Sequence, residues 1–81
     1  MSDQPILVYG TSWCPDCRRA TRVLDQQGAA YSYINIEQDA QAAAYVLEVN
    51  NGFQSVPTIV FPDGSILVEP SNNELQAKLV G

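Results

Sequence analysis

The chain contains two cysteines, Cys14 and Cys17, and they lie three residues apart where the sequence pattern changes from strand to helix. The apolar run at residues 6–9 predicts a short buried strand, and residues 18–27 are typical of a helix. A disulfide closing so small a loop adds little chain-entropy stabilisation. The spacing therefore indicates a redox-active thiol pair, rather than a structural crosslink or two incidental core cysteines.

Hydrophobic periodicity and turn signals place the other elements. We predict strands at residues 5–9, 31–36, 58–61 and 66–69 and helices at residues 15–27, 39–49 and 72–80. Gly28 suits a left-handed position after the first helix. The Asp63-Gly64 turn predicts an antiparallel hairpin of the last two strands. Ser71 and Glu74 match a capping box at the start of the last helix.

Apolar residues at helical spacing predict which helix faces are buried. The buried face of the first helix is predicted to contain Cys17, Ala20, Val23 and Leu24. That of the second is predicted to contain Ala40, Ala43, Ala44 and Leu47. Pro70 and Leu75 are placed as a hydrophobic staple across the start of the third.

The element order is βαβαββα, and a right-handed crossover makes the first two strands parallel. It predicts an α/β fold in which a four-stranded mixed sheet is flanked by three helices, as a single domain spanning residues 1–81. We expect a monomer.

Composition excludes several classes of function. The formal net charge is −5 and there is no histidine, so neither a basic nucleic-acid surface nor the usual general base is expected. No apolar run approaches the roughly twenty residues that span a bilayer, and residues 1–5 lack the basic start of a secretory signal. We therefore expect a cytoplasmic protein that binds neither membrane nor nucleic acid, in a reducing compartment where a cysteine pair is more often catalytic or metal-binding than structural.

The two thiols are predicted to have different roles. Cys14 lies just before the first helix, where free backbone N–H groups and the macrodipole favour a thiolate. Cys17 lies one turn inside the helix, further from its positive end. We predict that Cys14 is an exposed nucleophile and that Cys17 is the resolving thiol, as thiol–disulfide exchange requires.

The residues around the pair allow more than one interpretation. Pro15 stiffens the turn, whereas Asp16 either repels the thiolate or simply suits the first turn of a helix. Three arginines follow the site: Arg18, Arg19 and Arg22. They either stabilise the thiolate at longer range or steer an acidic thiol, or they form a solvated helix face that pairs with acids such as Asp25. Arg18 is the favoured functional residue.

Two aromatic residues and a proline complete the candidate site. Trp13 is predicted to form a flat docking surface rather than part of the core, and Tyr9 to pack within its strand. Pro57 is either an ordinary trans proline at a strand start or a cis proline that brings the Val56 backbone against Cys14.

The segment from Tyr9 to Cys17, the Val56-Pro57 pair and the Asp63-Gly64 turn together resemble the glutaredoxin family of the thioredoxin fold, in the right order and over essentially the whole chain. The resemblance is closest to mycoredoxin-like glutaredoxins, through residues 11–14, 34–37, 56–58 and 70–71.

This resemblance implies a dithiol oxidoreductase with a cis proline at Pro57 that reduces protein disulfides or mixed disulfides. It implies no tightly bound cofactor, but a low-molecular-weight thiol, mycothiol or glutathione, as co-substrate. The attacking cysteine would be Cys14 and the resolving one Cys17. The residues expected around the co-substrate are Thr11, Trp13, Pro15, Asp16, Arg18, Val56, Pro57 and Ser71.

Two departures from the family pattern bear on the reductant. Glutathione-type members usually carry a lysine where this chain has Thr11, and a Gly-Gly pair where it has Glu69-Pro70. The stretch from Trp13 to Cys17 also resembles thioredoxin-related proteins, which keeps a flavin-dependent thioredoxin reductase open as the electron donor.

A metal or iron–sulfur module is the alternative from another class of function. One cysteine pair supplies two of the usual four ligands, and no histidine can add to them. Such a site would need a dimer or exogenous thiols.

Overall fold

The computed structural model describes residues 4–80 and contains a four-stranded sheet in the order β2-β1-β3-β4. The elements in chain order are β1 (Ile6–Gly10), α1 (Pro15–Gln26), β2 (Tyr31–Asn35), α2 (Ala40–Val49), β3 (Thr58–Val60), β4 (Ile66–Val68) and α3 (Asn72–Val80). The predicted α/β fold, with a mixed sheet and three helices, is confirmed.

The strand pairings follow the predicted topology. β1 is parallel to β2, with Val8 opposite Tyr33, and antiparallel to β3, with Val8 opposite Ile59. β3 and β4 are antiparallel, with Ile59 opposite Leu67. β1 is therefore a central strand, and the candidate site follows its carboxyl end.

Element boundaries differ from the predicted ones by a residue, for local reasons. α2 begins at Ala40 because Asp39 is its N-cap, with a carboxylate that accepts the Ala42 N–H at 3.0 Å. β4 ends at Val68 because Glu69 has a φ of 47°, outside the range of a strand. Gly28 has the expected left-handed φ of 68°.

The capping box predicted at α3 is confirmed. The Glu74 carboxylate accepts the Ser71 N–H at 2.9 Å, and the Ser71 hydroxyl accepts the Glu74 N–H at 3.1 Å. The Ser71 backbone N–H, followed by the Ser71 hydroxyl, holds the pKa of the Glu74 carboxyl below its usual value. Pro70 and Leu75, the predicted staple residues, are both buried.

Two apolar clusters cover the two faces of the sheet. The larger cluster joins the sheet to α1 and α3 and consists of Ile6, Val8, Ala20, Val23, Leu24, Ile59, Phe61 and Leu75. The smaller joins it to α2 and consists of Ile36, Ala42 and Val46, with Tyr9, Ile34, Ala43 and Val56 packed against them. The predicted inward face of α1 is fully buried, and Tyr9 packs from its strand as predicted.

The predicted buried face of α2 is wrong at three of its four residues. Ala40, Ala44 and Leu47 are exposed, whereas Ala43 is half-buried and packs against the smaller cluster. The buried residues of α2 are Ala42 and Val46. Alanine occupies positions 40 and 42–44, so spacing alone fits several faces. Packing against the sheet selects one of these faces, and the selected face places Ala42 and Val46 in the smaller cluster.

Residues 1–3, which belong to the segment used to argue against a secretory signal, lie outside the described part of the chain. Within residues 4–80, every helix is too short or too polar to cross a bilayer.

Candidate active site

Cys14 is the N-cap residue of α1. Its backbone is extended (φ −82°, ψ 111°), and its Sγ accepts the Cys17 backbone N–H at 3.1 Å. Pro15 occupies the first helical position, where a missing N–H costs nothing. The sulfur thus takes the place of the usual capping oxygen at the N-terminus of α1.

The expectation that Cys14 is exposed is wrong. Only 5% of the residue is accessible to solvent. The reason is the capping geometry: the sulfur lies back over the first turn of α1 toward Cys17, instead of pointing away from the helix. A disulfide substrate must therefore reach this sulfur along a restricted approach.

Cys17 is fully buried beneath the first turn of α1. Burial, followed by the hydrogen bond to the Cys14 sulfur, raises the pKa of the Cys17 thiol to about 11, although the Thr11 backbone N–H and the Tyr33 hydroxyl oppose that rise. At neutral pH this thiol is protonated. The contrast in environment between the two sulfurs is the one expected for an attacking and a waiting thiol.

Tyr33 belongs to the site, and the sequence interpretation missed it. Its hydroxyl donates to the Thr11 carbonyl and lies within hydrogen-bonding reach of the Cys17 sulfur. Burial, and then the Cys17 sulfur, raise the pKa of Tyr33 well above its usual value. Tyr33 pairs with Val8, whose side chain faces α1, so strand register could have placed it on this face.

Gly10, the last residue of β1, leaves the space in which these groups meet. A Cβ at this position would collide with the Tyr33 hydroxyl and would lie 2.7 Å from the Cys17 sulfur. The missing side chain therefore allows Tyr33 and Cys17 to approach the same point from β2 and α1.

A cavity of about 160 Å³ is lined by residues around the site: Thr11, Trp13, Glu37, Gln54 and Val56. The Glu37 carboxylate accepts the Trp13 indole N–H at 2.9 Å and the Ser12 hydroxyl at 3.4 Å. Trp13 is 65% exposed, consistent with a docking surface rather than the core. Glu37 and Gln54 were not proposed as site residues from the sequence.

Thr11 lies at the edge of this cavity with an unused polar group. Its side-chain oxygen is buried and has no hydrogen-bond partner among residues 4–80. A buried hydroxyl without a partner costs roughly 1–3 kcal/mol, which a bound polar molecule could recover.

The Val56-Pro57 peptide bond is cis, as the family resemblance implied. Pro57 is buried directly before β3, and Val56 lines the cavity with Thr11.

Two of the three arginines of α1, Arg18 and Arg19, make different contacts. An Arg18 guanidinium nitrogen lies 3.5 Å from the Ser12 carbonyl, beside a second cavity of about 240 Å³ that Tyr33 also lines. Arg19 donates to the Asn72 side chain at 2.7 Å and to the Pro70 carbonyl at 3.1 Å, which joins α1 to the start of α3.

Among residues 4–80, the acidic partner of Arg19 is Asp16 rather than Asp25. Arg19 Nε lies 3.7 Å from the Asp16 carboxylate, and both side chains are partly exposed. Arg22 is exposed. Ser71, predicted near the co-substrate, lies at the start of α3, where its hydroxyl caps the helix.

Comparison with known proteins assigns the family. Residues 6–66 match the glutaredoxin family model. The chain belongs to the glutaredoxin family. A Mycobacterium tuberculosis protein named as a candidate glutaredoxin is 44% identical over 75 residues, covering 93% of this chain and 89% of that protein.

Two further glutaredoxin relatives extend the match. Mycoredoxin 1 of Corynebacterium glutamicum is 38% identical over 74 residues, covering 91% of each chain. The crystal structure of a glutaredoxin from Archaeoglobus fulgidus has a TM-score of 0.77 and 25% identity, covering 99% of this chain and 90% of that one.

As a glutaredoxin, the protein is a thiol–disulfide oxidoreductase. The family acts on disulfide substrates with a low-molecular-weight thiol as reductant and needs no tightly bound cofactor. Within residues 4–80, no three cysteine, aspartate or glutamate side chains group together as ligands for a metal ion.

Proposed function

We propose that this glutaredoxin reduces protein disulfides and mixed disulfides by a dithiol mechanism in which Cys14 attacks and Cys17 resolves. The observation that carries the proposal is the asymmetry of the pair. The Cys14 sulfur accepts a backbone N–H at the helix N-terminus, whereas the Cys17 thiol is fully buried and has a pKa raised to about 11.

The proposed cycle oxidises the protein dithiol through two thiol–disulfide exchanges. The Cys14 thiolate attacks one sulfur of a substrate disulfide, forming a mixed disulfide and releasing the other sulfur as a thiolate that takes up a proton from water. Cys17 then loses its proton to water and attacks the Cys14 sulfur, forming the Cys14–Cys17 disulfide and releasing the second substrate thiolate. Two molecules of a low-molecular-weight thiol restore the dithiol and leave as their own disulfide.

The reductant we propose is mycothiol, a thiol whose body is an uncharged sugar and inositol unit. Glutathione carries two carboxylates, whereas the cavity beside the site contains the Glu37 carboxylate in a protein of net charge −5. The buried Thr11 hydroxyl, which has no partner within residues 4–80, offers a hydrogen bond suited to a polyol. The 38% identity to Mycoredoxin 1 supports the same choice.

Trapping tests the roles of the two cysteines. The Cys17→Ser variant, incubated with bis(2-hydroxyethyl) disulfide, should accumulate a mixed disulfide on Cys14, identified by mass spectrometry. The matched Cys14→Ser variant should form no adduct at neutral pH and should have no reductase activity. An adduct on Cys17 in that variant, with turnover retained, would reverse the assignment.

An electron-source assay tests the reductant. Mycothiol, glutathione, or NADPH with a flavin-dependent thioredoxin reductase is supplied alone, and reduction of a mixed-disulfide substrate is followed. We expect turnover with mycothiol, slower turnover with glutathione, and a smaller difference between the two in a Glu37→Gln variant because one repelling carboxylate is removed. Faster turnover with glutathione or with the reductase would overturn the mycothiol proposal.

A further inference from the structure

Tyr33 contacts the resolving thiol without belonging to the cysteine motif. Its hydroxyl reaches Cys17 from β2, 16 residues away in sequence, and also donates to the carbonyl of Thr11. A Cβ at Gly10 would meet both the Tyr33 hydroxyl and the Cys17 sulfur, so the two atoms share one crowded point beneath the site. Such close approach is possible because Gly10 has no side chain.

The Tyr33 hydroxyl can form a hydrogen bond with Cys17 in either protonation state of the thiol. A tyrosine hydroxyl has one donor and also accepts. While the Cys17 thiol is protonated, the Tyr33 oxygen can accept from it and donate to the Thr11 carbonyl. When Cys17 becomes a thiolate, rotation of the same O–H directs its donor to the sulfur, and a hydrogen bond to a charged group is stronger than one to a neutral carbonyl.

Of the other described groups that act on Cys17, none donates a hydrogen bond to its sulfur from a side chain. The Cys14 sulfur interacts with the proton of the Cys17 thiol, and the Thr11 backbone N–H is a donor fixed in the main chain. Arg18 lines the second cavity together with Tyr33, and its charge favours ionisation of the tyrosine. Among the described groups acting on Cys17, Tyr33 is the hydroxyl that can turn toward it.

We propose that Tyr33 is a positioning residue for the resolving step, in which its hydroxyl donates a hydrogen bond to the Cys17 thiolate as that thiolate attacks the mixed disulfide on Cys14. This inference rests on the proposed role of Cys17. The Cys17 proton passes to water, the Cys14–Cys17 disulfide forms, and the released substrate thiolate takes up a proton. Tyr33 itself neither gains nor loses a proton over the step.

The test separates the two exchanges by rapid mixing of the reduced protein with bis(2-hydroxyethyl) disulfide. Formation of the mixed disulfide reports attack by Cys14, and its decay to the intramolecular disulfide reports resolution by Cys17. In Tyr33→Phe, resolution should be about tenfold slower near neutral pH, and the midpoint of its pH profile should rise by about one unit, because one unit corresponds to a tenfold change in thiolate fraction.

Two controls distinguish this role from simple support of the loop. Tyr31→Phe removes a hydroxyl from the same strand that interacts with Asp25 and Thr21, and should leave resolution unchanged. In a Cys17→Ser background, Tyr33→Phe should leave the rate of Cys14 attack unchanged. Equal slowing of attack in that background would indicate that Tyr33 only anchors the Thr11 carbonyl, which would overturn the inference.

A second substitution covers the case in which Tyr33→Phe folds poorly. Site-specific 3-fluorotyrosine at position 33 keeps the ring and makes the hydroxyl a stronger donor, so the pH profile of resolution should move to lower pH. An unchanged profile in both variants would overturn the inference and leave the dithiol mechanism intact. Failure to form any mixed disulfide on Cys14, even in the unmodified protein, would overturn the proposed function itself.

Discussion

The sulfurs of Cys14 and Cys17 lie one helical turn apart but in different surroundings. The first caps the helix and accepts a backbone N–H, and the second is enclosed by β1, β2 and α1. Proximity along the chain predicted the pair, and helix polarity predicted their order. The near-complete burial of Cys14 could not be predicted, because it depends on how the sulfur turns back over the helix.

Burial of Cys17 predicts a pH dependence of stability. Folding raises the pKa of this thiol from 9.0 to about 11, so folding favours the protonated form. The resulting stabilisation is complete below about pH 9 and is lost as the pH rises to about 11. We expect the free energy of unfolding of the reduced protein to fall by about 2–3 kcal/mol across that window.

Denaturant unfolding of the reduced protein at several pH values measures this effect. The Cys17→Ala variant should show a shallower fall, which isolates the thiol from the tyrosines that titrate in both proteins. Identical slopes for the two proteins would contradict the account of Cys17.

The Thr11 hydroxyl has no hydrogen-bond partner in the part of the chain that the structure describes. Its removal is therefore expected to have opposite effects on stability and on co-substrate binding. Thr11→Val keeps the shape and removes the buried oxygen, so the free energy of unfolding should stay the same or rise by up to about 1 kcal/mol. The KM for mycothiol should rise several-fold, because the proposed hydrogen bond is lost.

Thr58→Val is the matched control for that substitution. The Thr58 hydroxyl is also buried, but it donates to the Ser55 carbonyl at 2.7 Å and accepts from the Asn50 amide at 3.1 Å. Its removal should lower the free energy of unfolding by about 1–3 kcal/mol. Equal destabilisation by both substitutions would show that the Thr11 oxygen has a partner.

The roles of Tyr33 and Glu37 in the site could not be predicted from the cysteine motif. Both reach the site from β2 or the loop after it, and their contacts join residues 16 to 25 positions apart in sequence. A motif centred on the cysteines contains no information about such contacts. Strand register is what brings these side chains beneath and beside the thiol pair.

At the scale of elements, helix α1 holds the site and is itself held by α3. Its start and buried face were predicted well, since a proline, a cap and a regular apolar spacing define them. The buried face of α2 was predicted wrongly, since an alanine-rich segment has no strong apolar stripe of its own. Packing against the sheet then selects the face.

The contacts that Arg19 makes between α1 and the start of α3 predict a contribution to stability. Its guanidinium binds Asn72 and the Pro70 carbonyl, so Arg19→Met should lower the free energy of unfolding by about 1 kcal/mol or more through the loss of these hydrogen bonds. The exposed Arg22 provides the control, and Arg22→Met should change stability by less than about 0.5 kcal/mol. Thermal or denaturant unfolding compares the two, and equal effects would contradict a structural role for Arg19.

At the scale of the whole molecule, the order of elements was enough to predict the sheet and its helices. The crossover rule made β1 and β2 parallel, and the Asp63-Gly64 turn made β3 and β4 antiparallel. The cis bond at Pro57 followed from resemblance alone, because composition and periodicity carry no signal for it. The same fold brings the end of β1, the start of α1 and the segment before β3 to one site.

The difference in reactivity between Cys14 and Cys17 is the claim on which the mechanism depends, and timed alkylation measures it directly. Reduced protein is treated with iodoacetamide from pH 6 to 11, and modification of each cysteine is followed by mass spectrometry. We expect Cys14 to react at neutral pH and Cys17 to remain unmodified until the pH approaches 11. Modification of Cys17 at neutral pH at the same rate as Cys14, or before it, would contradict the division of roles.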